Sequence, residues 1–306
     1  MRVVFMGAPH FACPALQALI DSPHEIVGVY SQPPRPKGRG MEVTPTPVHE
    51  MAAAHNIPVL NPDKFTLEEV ESLKQQKPDV ICVAAYGLIL PQKVLDIAPC
   101  LNIHPSALPR WRGAAPLNHT ILAGDRTTDV CIMHMEKGLD SGPVYLRETF
   151  DVSPQETAGT LHDRLSIEGA RLLMTVIDDW STYKNAAEPQ SADGVTYAPK
   201  ITADMKPTDF DDAAACVRNH IHGLSPFPGA TTMVGGVCYK LLEAEVVDEN
   251  GTPGTILRAD ETHGLIVACQ NGALRLKRLQ KPGKKAMQDA DFMRGNPPLK
   301  VGDVFT

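Results

Sequence analysis

Thr66-Leu67-Glu68-Glu69-Val70-Glu71-Ser72-Leu73-Lys74-Gln75-Gln76-Lys77-Pro78-Asp79-Val80-Ile81-Cys82-Val83-Ala84-Ala85 is the stretch that sets the fold class. Thr66 with Glu69 three residues on is a capping box, so a helix begins at Thr66. Asp79 to Ala85 then reads as a strand buried on both faces. Working back towards the N-terminus, Arg2 to Met6 reads as a strand, Pro14 to Ile20 as a helix and Glu25 to Tyr30 as a strand. Pro47 to His55 is a helix entered through proline, and Pro58 to Leu60 a short strand. In the other direction Asn102 to His104, Val130 to Met135 and Val144 to Val152 read as strands, and Pro116 to Ala123 as a helix. Thr157 to Trp180 is a long helix with Leu161, Leu165, Leu172, Leu173, Val176 and Ile177 on one face. This alternation predicts an α/β class: a doubly wound, mostly parallel sheet with helices on both faces, and ligands at the strand carboxyl ends.

From Ser181 to Pro207 the periodicity stops, as in a linker. Beyond it one helical stretch to about His222 precedes short strands at Thr231–Leu242, Glu243–Val247, Gly254–Leu257, Gly264–Cys269 and Ala273–Leu279, with turns at Glu249-Asn250-Gly251 and Gln270-Asn271-Gly272. A small β-barrel of the oligonucleotide-binding (OB-like) kind is expected there. The predicted organisation is a catalytic domain over 1–182, a linker over 183–207 and a C-terminal barrel over 208–306.

The 306 residues are 43% apolar and 21% charged, an ordinary globular composition. No apolar run approaches the ~20 residues that span a bilayer, and the start of the chain lacks a signal-peptide layout, so a cytoplasmic location and no membrane partner are expected. The seven cysteines are scattered without metal-ligand spacing and read as buried thiols, with no metal expected. With 36 acidic against 29 basic residues, net charge −7, any nucleic-acid binding must come from a local basic surface. The turn after the first strand, Gly7-Ala8-Pro9-His10-Phe11, lacks the glycines that let a backbone approach a pyrophosphate, which excludes a dinucleotide oxidoreductase.

The chemistry gathers at Asn102-Ile103-His104-Pro105-Ser106-Ala107-Leu108-Pro109-Arg110-Trp111-Arg112-Gly113-Ala114-Ala115-Pro116. Asn102 and His104 are two apart on a strand, so their side chains share a face, where an amide donor and an imidazole can flank a carbonyl oxygen. Such an imidazole usually needs a carboxylate to fix its tautomer. Asp140, in the glycine-bracketed Lys137-Gly138-Leu139-Asp140-Ser141-Gly142, is the candidate. Alone, His104 is equally a satisfied strand-end histidine and Asp140 a turn aspartate.

Together these motifs resemble the folate-dependent formyltransferases, whose catalytic trio is Asn, His and Asp. The resemblance extends over Phe5-Met6-Gly7, Ser31-Gln32-Pro33, Gly38-Arg39-Gly40, Ala85-Tyr86-Gly87-Leu88-Ile89-Leu90-Pro91, Leu108 to Pro116 and Gly283-Lys284-Lys285-Ala286-Met287. It implies a Rossmann-like formyltransferase sheet and Asn102, His104 and Asp140 as the catalytic residues. The implied reaction takes the formyl group of 10-formyltetrahydrofolate to the α-amine of methionine on initiator tRNA, for the start of translation. It also implies a pterin pocket lined by Tyr86, Gly87, Leu88, Ile89, Ser106, Ala107, Leu108, Pro109 and backbone near Asp140. Folate and initiator methionyl-tRNA are thus the expected partners, with no obligate protein partner.

Two basic stretches suit the RNA. Ser31 to Pro47 reads as a long loop carrying Arg35, Lys37 and Arg39 among five prolines. In the resembled family a loop here reads the acceptor stem, and Arg39 corresponds to its functional arginine; Met41-Glu42 stands where many relatives carry lysines. The second is Arg275, Lys277, Arg278, Lys281, Lys284 and Lys285, with no acid between Thr262 and Gln288, where a positive stripe is expected. Arg110 and Arg112 either guide RNA or brace the loop around Trp111. Two rivals stand beside this reading: formyl transfer to a small-molecule amine, and a noncatalytic RNA-binding protein on the same fold.

Overall fold

The computed structural model describes residues 1–37, 40–294 and 298–306, with Lys37 described by its backbone alone. Packing divides the chain into two compact units that interleave along the sequence. The first comprises Met1–Gly113, Thr128–Phe150 and His162–Tyr197; the second comprises Ala114–Thr127, Asp151–Leu161 and Ala198–Thr306. The compact units are therefore not the contiguous stretches that composition suggests.

In the first unit the elements run β1 (Arg2–Gly7), α1 (Cys13–Ile20), β2 (Glu25–Tyr30), β3 (Arg35–Lys37), β4 (Glu42–Thr44), α2 (Pro47–Ala54), β5 (Val59–Leu60), α3 (Leu67–Gln75), β6 (Val80–Ala84), α4 (Gln92–Leu95), β7 (Cys100–His104) and the short β8 (Arg112–Gly113). After α5 (Pro116–Leu122), which belongs to the second unit, come β9 (Thr127–His134) and β10 (Val144–Asp151). The long α6 (Ala158–Asp178) and short α7 (Trp180–Tyr183) follow. The sheet order is β10-β9-β7-β6-β1-β2-β5. Pairings among β5, β2, β1, β6 and β7 are parallel, while β9 runs antiparallel to β7.

The chain leaves β1 towards β2 on one side and returns to β6 on the other. A crevice therefore opens beyond Gly7 and Ala84, next to the end of β7, as expected for a doubly wound sheet. All five residues of β6 are buried, each large aliphatic contributing about 2 kcal/mol. The capping box at α3 is present in both directions, Thr66 N–H to Glu69 at 2.9 Å and Glu69 N–H to Thr66 Oγ1 at 3.4 Å. In the β1–α1 turn Phe11 is buried with its ring edge against His162, 5.3 Å between centroids, whereas Pro9 is exposed.

The second unit carries the short β11 (Tyr197–Ala198), whose Ala198 opens its last segment, and then α8 (Ala214–Gly223). The strands β12 (Ala230–Val234), β13 (Val237–Val247), β14 (Ile256–Asp260), β15 (Gly264–Ala268), β16 (Ala273–Gln280) and β17 (Met287–Gln288) follow, and then α9 (Asp289–Met293). Its sheet runs β12-β13-β16-β15-β14, with β17 on β16. The two strands expected at 231–242 and 243–247 are resolved differently. A turn at Gly235-Gly236 separates β12 from β13, and β13 runs unbroken through irregular register around Glu243, a bulge that sequence periodicity mistakes for an end. The sheet is closed into a ring by the last residues. Thr306 exchanges hydrogen bonds with Met233 of β12 (2.8 and 2.9 Å), while Phe305 N–H reaches Gly254 O and Ile256 N–H reaches Asp303 O, both at 2.9 Å. Phe305 is buried and stacks on Phe210.

Cys82, Cys100, Cys131 and Cys269 are buried, but Cys216 and Cys238 are exposed and Cys13 is half-buried, so isolation in sequence did not guarantee burial. No helix among the described residues is long and apolar enough to cross a membrane.

Gly169 brings α6 against the strand that carries the candidate site: a Cβ there would stand 2.5 Å from Ile103 Cγ2. Gly169→Ala would gain up to about 1 kcal/mol of helix propensity. Overpacking in a filled core costs about 1–3 kcal/mol, and at this separation it outweighs the gain. Urea unfolding of Gly169→Ala should therefore give a lower midpoint than the parent; a raised midpoint would show that α6 is free to retreat from β7.

Candidate active site

β7 ends at the crevice, and alternation along it sends Ile103 towards α6 and the side chains of Asn102 and His104 to the other face. Asn102 is half-buried, and among the described residues its amide has no side-chain partner. Beyond His104 the chain folds back on itself. Ser106 Oγ donates to Arg110 O at 2.8 Å, and Trp111 takes a left-handed conformation, φ +64°. The Trp111 carbonyl then lies 3.1 Å from His104 Nε2. A carbonyl only accepts, so Nε2 carries the hydrogen and the neutral ring keeps its lone pair on Nδ1.

Nδ1 faces Asp140 Oδ2 at 3.8 Å, an electrostatic contact beyond hydrogen-bond range. The carboxylate's nearer partner is the Gly113 N–H, 2.8 Å from the same oxygen. The expectation that Asp140 fixes the histidine tautomer is thereby corrected, because the Trp111 carbonyl holds the other nitrogen. His104 is 4% exposed. Burial pushes its pKa below the ordinary histidine value; the Asp140 charge and the Trp111 carbonyl oppose this, and the Arg112 charge adds to it. The ring is therefore neutral near pH 7, set to take a proton.

The glycines around Asp140 act by close approach. A Cβ on Gly142 would stand 2.0 Å from His134 O, and one on Gly138 2.1 Å from Ser141 Oγ. The left-handed residue of this loop is Asp140 itself, φ +46°, a conformation that Asp tolerates better than most residues.

Several residues expected to line a folate pocket are turned inward. Tyr86 is 2% exposed, its ring lies in the core beside Phe65, and its carbonyl accepts from Gln32 Nε2 at 3.1 Å. Ser106 is buried with its hydroxyl committed to Arg110, and Leu108 is buried among Cys131, Met133 and Val144. Leu88 packs on the core, Ala107 and Pro109 are half-buried, Gly87 has φ +81°, and Ile89 is 94% exposed. For a flat heterocycle this rim offers backbone groups and the Ile89 side chain. Sequence pattern shows that residues are apolar, not which of them the core claims first.

The basic residues also divide. The expected 31–47 loop contains a ribbon, with Arg35 opposite Thr44 and Lys37 opposite Glu42. Arg35 is exposed and donates to Gln32 Oε1 at 3.3 Å. Arg39 and the Lys37 side chain lie outside the described residues. The expected positive stripe on β16 is compensated from the side: Arg275 pairs with Asp289 at 2.6 Å, Lys277 with Glu245 at 3.5 Å and Arg278 with Glu243 at 3.1 Å. The window without acids is a property of the chain, whereas antiparallel pairing lays the acidic β13 alongside. Lys281, Lys284 and Lys285, at the exposed turn around Gly283, have no ion pair among the described residues.

Sequence reading missed the contribution of residues 188–196, taken as linker. Thr196 Oγ1 accepts the Trp111 N–H and its carbonyl accepts the Arg112 N–H, both at 2.9 Å, which secures the segment that presents the Trp111 carbonyl. No local pattern marks these residues. Among the described residues no three His, Cys, Asp or Glu side chains group as metal ligands.

Comparisons with known proteins bear on the family. Residues 1–177 match the family described as formyl transferase, and residues 200–297 match the formyl transferase C-terminal domain. A methionyl-tRNA formyltransferase of Jannaschia sp. is 48% identical over 299 residues, covering 96% of this chain and 97% of that protein. Among solved structures, the methionyl-tRNA formyltransferase from Clostridium thermocellum superposes with a TM-score of 0.57 at 15% identity, over 81% of this chain and 94% of that one. HypX from Aquifex aeolicus in complex with tetrahydrofolic acid superposes with a TM-score of 0.64 at 19% identity, over all of this chain, which spans 50% of HypX. At these identities the two structures speak for the fold alone. With its catalytic half and C-terminal domain both matched, and a relative nearly half identical from end to end, the chain belongs to the formyltransferase family, among the methionyl-tRNA formyltransferases.

Proposed function

We propose that this chain transfers the formyl group of 10-formyltetrahydrofolate to the α-amine of methionine on initiator tRNA. The observation that carries the chemistry is a buried, neutral His104 whose free nitrogen faces Asp140, two residues along the strand from an unengaged Asn102 amide. Transfer to a small-molecule amine is the weaker reading, because relatives matched over nearly their whole length carry the name methionyl-tRNA formyltransferase and the C-terminal domain is matched as well.

In this mechanism the unprotonated amine attacks the formyl carbon, a new C–N bond forms, and the carbonyl electrons move onto oxygen. Asn102 donates to that oxyanion. The nitrogen that attacked now carries a surplus proton, which passes to His104 Nδ1, the nitrogen that the Trp111 carbonyl leaves available. Asp140 stabilises the resulting imidazolium. When the C–N bond to the folate breaks, the same proton goes from Nδ1 to the departing nitrogen, so the histidine ends neutral.

For the RNA, Lys281, Lys284 and Lys285 are the better phosphate partners on the second unit, since Arg275 and Lys277 are committed to acids. Arg35, Lys37 and Arg39 are the expected contacts on the first.

His104→Ala and Asp140→Ala should each lower turnover at least ~100-fold, the scale of losing a general acid-base group, with tRNA affinity little changed; near parental turnover in both would remove the mechanism. The pH profile gives a second check. With neutral His104 as the base, kcat falls as pH drops through a histidine pKa lowered from its usual value. Because the Asp140 charge raises that pKa, Asp140→Asn should move the acid limb to lower pH, and an unmoved limb would break the link between the two residues. Salt dependence tests the RNA surface: replacing Lys281, Lys284 and Lys285 by alanine should flatten the plot of log affinity against log salt by roughly 0.7–0.9 for each phosphate no longer neutralised. Replacing Lys277 should leave the slope almost unchanged.

A further inference from the structure

Residues 188–196 run across the backs of both loops that carry the site. Glu188 exchanges backbone hydrogen bonds with Val144, at 2.8 and 2.9 Å, just beyond the Asp140 loop. Two residues later comes a side chain that touches both loops at once. Gln190 Nε2 donates to the carbonyls of Asp140 and Gly142, each at 2.8 Å. Gln190 Oε1 accepts from Arg112 Nε at 3.1 Å and Arg112 Nη2 at 2.8 Å.

Every hydrogen of this amide is used, and its oxygen is held by a forked cation. The orientation is unambiguous: turned over, the amide would set its oxygen against two carbonyls and its hydrogens against a guanidinium. The groups it joins are the ones the site depends on. Arg112 follows Trp111, whose carbonyl holds His104, and precedes Gly113, whose N–H holds the Asp140 carboxylate. Asp140 sits in a left-handed conformation next to the 61%-exposed Leu139. Gly113 holds the carboxylate, and Gln190 holds the backbone carbonyl of the same residue.

We propose that Gln190 is a positioning residue for formyl transfer: it ties the Asp140 loop to Arg112 and so sets the separation between the Asp140 carboxylate and His104. This rests on the reading of His104 and Asp140 as the proton-handling pair. Gln190 acts through Asp140 and needs no contact with either substrate.

The test compares steady-state kinetics of Gln190→Met, which keeps the shape and loses all four hydrogen bonds, with Asp140→Asn and with the double variant. Gln190→Glu is made in parallel; it keeps an acceptor for Arg112 and loses both donors to the loop, and it takes the place of Gln190→Met if that protein does not fold. Misplacing a reacting group by an ångström costs up to about 100-fold. The expected result is therefore a kcat reduced about 10- to 100-fold, with KM for folate and for tRNA within twofold of the parent. In Gln190→Met, which adds no charge, the acid limb of kcat should also move to lower pH, as in Asp140→Asn, because a carboxylate that retreats from His104 supports its protonated form less, while Arg112 keeps its charge. In the Asp140→Asn background Gln190→Met should cause no further loss in kcat. Parental kcat in the Gln190 variants with an unmoved limb in Gln190→Met, or a full additional loss in the double variant, would overturn the proposal. If Asp140→Asn itself kept parental turnover, the reading of the site would fall, and that outcome is distinct from a failure confined to Gln190.

Discussion

The hydrogen bond from the buried His104 Nε2 to the carbonyl of Trp111, 3.1 Å long, is the constraint on which the site depends. It commits one nitrogen of the ring, so only the other is open to take a proton, and that nitrogen faces Asp140. Much of the surrounding structure exists to present this one carbonyl. Ser106 folds the segment back, Trp111 accepts a left-handed backbone, and Thr196 secures the peptides on both sides of it. Burial supplies the second half of the arrangement, since it holds the imidazole pKa below its value in water and keeps the ring neutral at neutral pH.

Electrostatics on the second unit follow a different logic. The protein is acidic overall, and on its basic strand Lys277 and Arg278 are neutralised by the strand beside it while Arg275 pairs with Asp289 of α9. What escapes is the turn beyond, where Lys281, Lys284 and Lys285 project past the reach of the acids on β13. The two exposed pairs to β13 contribute little to stability. Their effect is to confine positive charge to a small part of the surface.

How far the sequence could be read depended on whether the determining contact was local. The helix start at Thr66 and the alternation of strand and helix were visible because their causes lie within a few residues. Asn102 and His104 were visible as a pair for the same reason, being neighbours on one strand face. Asp140 was singled out by its glycine-bracketed loop and strengthened by the family resemblance, but its position opposite His104 is a tertiary fact. The partners of β16, the inward turn of Tyr86 and the role of Trp111 were not visible, since each rests on a residue brought alongside from a distant part of the chain or on a backbone angle with no residue signature. Residues 188–196 were the most misleading: polar and aperiodic, they resemble a tether, yet Thr196 and Glu188 are held to the site loops through the backbone.

The interleaving of the two units limits how such a protein can be cut or recombined. Helix α5, at 116–122, lies far upstream of α8 in the chain, yet both belong to the second unit, where Asn118 Nδ2 donates to Gly223 O at 2.7 Å. A fragment ending near residue 182 would carry this helix with its partner surface stripped away, and a fragment beginning near 208 would lack it. Exchange of C-terminal halves between relatives by a single crossover therefore inherits a mismatched seam, unless 114–127 and 151–161 are exchanged along with it.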